Sequence, residues 1–337
     1  MVYSFQLWKH PNIHYREALL RLSRCELLSM LRALSISADI SIEMMGSTAF
    51  LCFQCRELSP DELKLLAMHS SLGMMFEKTG AWLRPISVTS PDVFPEDLPE
   101  ILKYKGKTNP SFTRMMLNVS LSLTSFFRNP NQAVILDPLC GKATSLFCGV
   151  CMGASAVGLD TDRRSLKEAE DYFSRYLKSA GIKHTLHSLS STVNSRGVPG
   201  TVFRFSVNRD DFKAGQTSFL TMFNADSALA APLLRKSPAN ILITDLPYGV
   251  QHAPHGLSGP ESFKTFLERM LPAWRQALIP GSALALSFNA LTLKRKTVLE
   301  ALSSSGYLVY NGDEYSDLAH TVEQAVCRDL VFASLAV

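Results

Sequence analysis

The sequence predicts an α/β fold: an open, mostly parallel sheet with helices on both faces, preceded by a small α+β unit. Three observations predict it. From about residue 104 onward, short apolar runs alternate with long amphipathic stretches, the pattern of parallel strands joined by crossover helices. Four of those runs end in or near a polar residue, as strands do when a ligand binds beyond their carboxyl ends. Before residue 90 the elements are shorter and read strand-helix-strand-strand-helix-strand, the ferredoxin-like order.

The composition suits that reading. With 337 residues, 46% of them hydrophobic, the chain fills one large unit and a small one. Charged residues make up 19%, below the usual quarter. A net charge of +4 permits an anionic partner without demanding one, and no Lys/Arg-rich run marks a nucleic-acid patch. The start, "MVYSFQLWKHPN", lacks the apolar segment of a signal peptide, and no apolar run approaches the ~18 residues that span a bilayer. The expectation is a soluble, cytoplasmic protein without a membrane partner.

Taken in order, "SFQLW" reads as a strand. "HYREALLRLSRCELLSMLRAL" reads as a helix with Leu19, Leu20, Leu27, Leu28 and Leu31 on one side. "DISIEMM" and "TAFLCFQC" are strands around a Gly46-Ser47 turn. "SPDELKLLAMH" is a helix capped by Ser59 with Pro60 at its first position, followed by the strands "SLGMMFEK" and "WLRPISV". This unit, residues 1–90, holds nine Lys/Arg and eight Asp/Glu, so it is no basic clamp. A Pro-rich linker spans 91–103, with prolines at 91, 95 and 99.

The large unit, 104–337, opens with a helix started by Asn109 and Pro110. "AVILD", "AVGLD", "FLTMFNAD", "NILITD" and "SALALSF" are its strands, separated by helices such as "DRRSLKEAEDYFSRYLKSAG" and "GPESFKTFLERMLPAWRQAL". "HSLSSTVNSRGVPG" reads as a Ser-rich loop that, with "TVFRFSV", is inserted into the α/β unit. "YLVYNG" and "RDLVFASL" are expected to form an antiparallel hairpin at the sheet edge, since no crossover helix separates them.

Seven cysteines, an odd number, do not resemble a disulfide framework. Cys52 and Cys55 lie on a strand, where residues three apart face opposite ways. Cys148 and Cys151 share a helical face in a wholly apolar stretch with no His or Asp beside them, so buried small hydrophobes are expected and no metal.

The strand-end residues carry the chemistry. "VILDPLCGKATSL" is a strand ending in Asp137, a tight turn through Pro138, Cys140 and Gly141, and a helix opening at Thr144. Such a turn lets a ligand approach the backbone and the helix N-terminus. It is neither G-x-G-x-x-G nor a P-loop. About twenty residues on, "AVGLDTD" places Asp160 and Thr161 at the next strand end, where a carboxylate can accept hydrogen bonds from a ribose diol. Thr161 or Asp162 would serve equally as a helix cap. Asp226 in "FNADSALAA" either contacts an adenine amino group or caps the next helix. The fourth is Asp245-Leu246-Pro247-Tyr248 in "ITDLPYG".

In order, spacing and placement these four resemble the class I S-adenosylmethionine (SAM)-dependent methyltransferases, and "DLPYG" resembles the Asp/Asn-Pro-Pro-Tyr/Phe motif of the amino-methylating branch. "DPLCGKAT", "DLPYG" and "KTNPSFTRMMLNVSL" are similar to the tRNA guanine-N2 methyltransferases whose relatives often carry a THUMP domain. The resemblance covers most of the chain from about residue 100 and implies a Rossmann-like methyltransferase sheet with SAM as cofactor. It implies that Asp137, Pro138, Cys140, Gly141, Thr144, Asp160, Thr161 and Asp226 line the cofactor. Asp245 and the Leu246 carbonyl would accept hydrogen bonds from the target N–H groups, Pro247 would stiffen the turn, and Tyr248 would stack on a planar substrate. His252 and His255, in the loop that follows, either touch the substrate or are exposed loop histidines. The sequence departs from the family at Lys142-Ala143, where a second glycine is usual, at Leu246 for the first proline, and in having no THUMP module.

The acceptor expected from this is a planar amide or amine nitrogen of a small molecule, such as a cyclic dipeptide-like metabolite, in a closed apolar pocket. The sparse charge and missing THUMP module favour it over the alternative, an RNA guanine amine stacked on Tyr248. A non-catalytic SAM-binding protein is the rival outside enzymes. The family also raises a small activating subunit; soluble, monodisperse protein expressed alone would argue against an obligate one. His320 and Glu323 precede the last strand without an assigned role.

Overall fold

The computed structural model describes residues 1–8, 13–104, 106–247 and 260–337. Its first unit contains β1 (Val2–Leu7), α1 (Ile13–Ala33), β2 (Ile40–Met45), β3 (Thr48–Gln54), α2 (Pro60–Leu66), β4 (Leu72–Thr79) and β5 (Trp82–Ile86). The five strands form one antiparallel sheet in the order β2-β3-β1-β4-β5. Gly46, at φ +61°, makes the β2–β3 turn. Ser59 caps α2 in a reciprocal box with Glu62, whose carboxylate also pairs with Arg56 at 2.5 Å.

The segment expected as a linker is packed rather than free. Val93 donates to the Cys151 carbonyl, and Phe94 and Leu98 are buried around the short α3 (Leu98–Ile101). Asp92 pairs at 2.7 Å with Arg114 of α4 (Pro110–Ser122), the helix that Asn109 caps through the Ser111 N–H.

The second unit follows as β6 (Val134–Asp137), α5 (Thr144–Cys151), β7 (Ser155–Asp160), α6 (Arg163–Ser179), β8 (Lys183–Val193), β9 (Arg196–Ser206), α7 (Arg209–Lys213), β10 (Ser218–Asn224), α8 (Ala230–Leu234) and β11 (Ala239–Asp245). It ends with α9 (Pro260–Arg275), β12 (Leu278–Asn289), α10 (Arg295–Ser304), β13 (Leu308–Tyr310), α11 (Asp313–Ser316), β14 (His320–Glu323) and β15 (Val326–Ser334). The strand order is β13-β15-β12-β11-β6-β7-β10-β9-β8, with β14 paired to β15. Strands β12, β11, β6, β7 and β10 are mutually parallel, and β15 and β9 run against them. It is a doubly wound, Rossmann-like α/β sheet.

Two expectations need correction. The Ser-rich stretch is no loop: β8 and β9 are eleven-residue strands of a long hairpin that extends the sheet past β10. Its two-residue turn, Asn194-Ser195, has φ of +49° and +63°, the primed geometry that matches strand twist. Nor do the last two predicted strands make a simple hairpin. β13 does pair antiparallel with β15 at the sheet edge, but α11 and β14 intervene, and β15 lies between β13 and β12.

The two units share one hydrophobic cluster. Tyr3, Phe5, Leu22, Leu31 and Phe53 belong to the same buried set as Met115, Ile241 and Phe332. Helix α1 lies between the five-stranded sheet and α4, which explains why Leu20 and Leu28, expected on its buried stripe, are only partly buried while Ser23, Glu26 and Ser29 are buried. Glu26 accepts hydrogen bonds from the Ser70 N–H at 2.8 Å and from Asn118 Nδ2 of α4 at 2.6 Å. A buried carboxylate stays only where donors replace water, and these come from both units.

Candidate active site

Because β6, β7, β10 and β11 are parallel, their carboxyl ends share one edge, and Asp137, Asp160, Asn224 and Asp245 end those strands. The order of the strands reverses at β6: the chain steps outward to β7 and β10, then returns to β11 on the other side of β6. That switch point is where ligands bind in such sheets.

The turn after β6 is braced from within. Asp137 is 4% exposed; it accepts from the Leu139 N–H at 3.0 Å and from the Ser145 hydroxyl. Burial pushes its pKa up to about 6, against the Ser145 and Leu139 bonds, which pull it down. Pro138 and Cys140 are buried, and Cys140 donates to the Leu159 carbonyl at 3.0 Å. Gly141, at φ +51°, donates its N–H to Asp160 Oδ2 at 2.8 Å, and nothing lies within 4 Å of where its Cβ would stand. Asp160 Oδ1 accepts from the Asp162 N–H at 2.8 Å, so this carboxylate ties the turns after β6 and β7 together. Asp162 is the residue that caps α6. Thr161 is exposed, and its carbonyl accepts from Asn224 Nδ2 at 3.0 Å. Asp226, also exposed, caps the 3-10 turn 227–229.

The departure at Lys142-Ala143 has a structural counterpart. Ala143 takes the left-handed conformation of a glycine, φ +67° and ψ 25°, at about 1–2 kcal/mol of strain. Lys142 pairs with Glu168 of α6 and stands 5.0 Å from the ring centroid of Tyr104. The Tyr104 hydroxyl meets Thr144 Oγ1 at 2.8 Å, and burial raises its pKa to about 12.

Asp245 is held from three sides. Thr108, just before α4, donates to Oδ2 at 2.7 Å; Ser287 on β12 donates to Oδ1 at 2.6 Å; Arg328 on β15 reaches Oδ2 at 3.4 Å. The Arg328 guanidinium, almost wholly buried, lies 4.9 Å from the centroid of the Phe112 ring. His320 packs edge-on against the same ring, and burial first, with Arg328 adding to it, lowers its pKa to about 4. Leu246 is buried, its N–H bonded to the Ser287 carbonyl at 2.8 Å, and Pro247 follows half-buried at the edge. Tyr248, His252 and His255 lie outside the described residues.

The sheet therefore gathers the strand-end residues on one edge and adds Thr108, Ser287, Arg328 and His320, which the sequence reading did not assign. Thr108 stands in the quoted segment "KTNPSFTRMMLNVSL", Ser287 near the end of one expected strand and Arg328 at the start of another, so each had a placement but none a sign of its partner. Glu323, left unassigned with His320, sits exposed at the end of β14. Among the described residues no cluster of His, Cys, Asp and Glu is arranged to hold a metal, and no helix is long and apolar enough to cross a membrane.

No family model matches the chain, and no curated protein does. Solved structures to which it is similar include SAM-dependent methyltransferases. Among these are magnesium protoporphyrin IX methyltransferase from Synechocystis with bound SAM (13% identity, 69% of this chain and 87% of that one, TM-score 0.39). Human methyltransferase-like protein 13 with SAH is another (15%, 66% and 81%, 0.38). An rRNA methyltransferase from Streptomyces viridochromogenes is a third (14%, 55% and 77%, 0.35). Likenesses this distant carry no argument about activity.

Proposed function

We propose that the chain is a SAM-dependent N-methyltransferase that methylates a planar amine or amide nitrogen. The observation that carries the reading is Asp245-Leu246-Pro247 at the end of β11, beside the switch point and next to a glycine turn tied to Asp160. The ferredoxin-like order of the first unit and the doubly wound sheet of the second agree with the resemblance in the sequence.

The residues fit the cofactor. The open space over Gly141 admits a ligand close to the backbone, Asp160 stands at the strand end where a ribose diol would meet it, and Asp226 edges the adenine side. Bound there, SAM supplies a methyl group on a sulfonium whose sulfur leaves with the bonding electrons. Asp245 and the Leu246 carbonyl orient the acceptor by taking hydrogen bonds from its N–H groups, so that its lone pair faces the methyl carbon. Thr108, Ser287 and Arg328 fix the Asp245 carboxylate so that no reorganisation is needed. The proton that the methylated nitrogen sheds passes to water from an amine; an amide needs Asp245 as base.

Two acceptors share this chemistry, a small planar metabolite and a guanine amine in RNA. The small-molecule reading rests on sparse charge along the sequence. One structural observation favours RNA: unpaired cations gather on the β8–β9 hairpin. Incubating the protein and methyl-labelled SAM with total RNA and, separately, with a metabolite extract tests both. Label entering either pool and lost in Asp245→Ala is the expected result. SAH binding without label in either pool would favour the non-catalytic rival.

A further inference from the structure

From Tyr172 to Arg209 the chain contains no Asp or Glu, against six Lys/Arg and two His. The cations are too far apart to read as a basic run, but the hairpin register puts three of them, with His187, on one face. Side chains two apart on a strand, and those directly opposite across an antiparallel pair, share a face. Arg204 stands opposite Thr185 and Arg196 opposite Val193, which puts Lys183, His187, Arg196 and Arg204 on one face of the hairpin, all exposed. Arg235 and Lys236, also exposed, follow α8, which packs on β8.

Among the described residues none of these six pairs with a carboxylate. The first unit behaves otherwise: Arg21, Arg32, Arg56, Lys64, Lys78 and Arg84 each pair with Asp or Glu. The acids nearest in sequence are Asp171, paired with Lys167, and Asp210, paired with Lys213, with Asp211 beside it at the hairpin's base; Asp226 follows β10 at the carboxyl edge.

The hairpin is also aimed at the active edge. β8 runs parallel to β10, so the Asn194-Ser195 turn lies at the carboxyl edge with Asp160 and Asp245. Gly200, opposite Phe223, is the last β9 residue paired with β10, and residues 196–199 continue past it, paired only with β8. At ~3.4 Å per residue the overhang rises roughly 13 Å beyond that pair. Beneath it, between Arg196, Val198, Asn224 and Leu229, opens a cavity of about 470 Å³, a size that admits a nucleobase.

We propose that the β8–β9 hairpin, with Arg235 and Lys236, is a phosphate-binding arm that leads an RNA strand from Lys183 and Arg204 at its base to Arg196 at the active edge. The clause that this RNA carries the methyl acceptor rests on the function proposed above; the surface itself does not. Unpaired, exposed cations release the condensed counterions of a nucleic acid, and each single-strand phosphate they neutralise contributes about −0.7 to the slope of log affinity against log salt.

The experiment is fluorescence anisotropy of labelled oligouridylate and of bulk transfer RNA between about 50 and 200 mM salt. It uses the full chain, a Lys183→Gln/Arg196→Gln/Arg204→Gln variant and an Arg235→Gln/Lys236→Gln variant. The expected result is RNA binding whose slope shrinks by about 2 in the triple variant and about 1 in the double, with at least a roughly tenfold loss of affinity in the triple. SAH binding, read by calorimetry, stays within twofold in both variants and reports the intact fold. An unchanged slope in both variants, or no RNA binding by the native chain, overturns the arm. So does binding to phosphatidylglycerol vesicles that the substitutions abolish while RNA binding persists. RNA binding with the expected slopes but no label from SAM in RNA leaves the arm standing and removes the acceptor reading.

Discussion

Asp245 owes its geometry to side chains that sequence distance hides. Ser287 and Arg328 lie 42 and 83 positions away and meet it only because β12 and β15 are neighbours in the sheet. A carboxylate at the end of an apolar run is visible in a sequence; its partners depend on strand order, which is not. Losing the Ser287 hydroxyl removes one of those partners without a cavity of consequence. Ser287→Ala is therefore expected to lower methyl incorporation about tenfold, roughly 1.4 kcal/mol in the barrier, with SAH affinity unchanged. Asp137 and His320 make opposite demands on pH. Asp137, raised to about 6, lends stability that is complete below the unfolded value of ~3.9 and lost as pH rises through 6, roughly 3 kcal/mol. His320, lowered to about 4, lends stability that is complete above ~6.5 and lost as pH falls through 4, a similar amount. Urea unfolding should find Asp137→Asn more stable than the native chain near pH 7 but not near pH 4. His320→Gln should gain near pH 4 and not near pH 7. Differences that do not vary with pH would contradict both assignments.

Strands buried on both faces, β6, β7, β11 and β12, were legible because continuous apolar runs bounded by polar ends have few other readings. The β8–β9 hairpin was not. Serine and threonine dominate β8, and the alternation is weak because only its tip valines and Phe203 and Phe205 are buried. Its turn is Asn-Ser, where Asn-Gly would have announced it. Ser195→Gly suits φ +63° better and should stabilise the protein by about 0.5–1 kcal/mol in urea unfolding. The turn after β6 depends on a glycine in the next strand. A Cβ on Gly158 would stand 2.5 Å from Leu146 Cδ1 and 2.6 Å from Cys140 Sγ. Gly158→Ala is expected to cost about 1–3 kcal/mol and, on the proposed function, to weaken SAH binding, since the atoms that must move belong to the turn after β6 and to α5. Calorimetry showing native affinity would refute that coupling.

The order of the first unit was readable, but its attachment was not, because the surface α1 shares with α4 joins residues 1–90 to the sheet that follows. With one hydrophobic cluster running through both, unfolding should be a single transition. Tryptophan fluorescence, from exposed Trp8 and Trp82 in the first unit and buried Trp274 in the second, should trace the same urea midpoint as circular dichroism. Two resolved midpoints would mean the cluster does not couple them. Helix α4 and the residue just ahead of it donate a bond into each unit: Asn118 Nδ2 to Glu26, and Thr108 Oγ1 to Asp245. A descendant that exchanged its first ninety residues for another module would thus strip the partner from Asn118 and shift the helix whose approach aims Thr108. The front piece is therefore no detachable tag or adaptor: replacing it would also disturb the strand-end edge that holds Asp245.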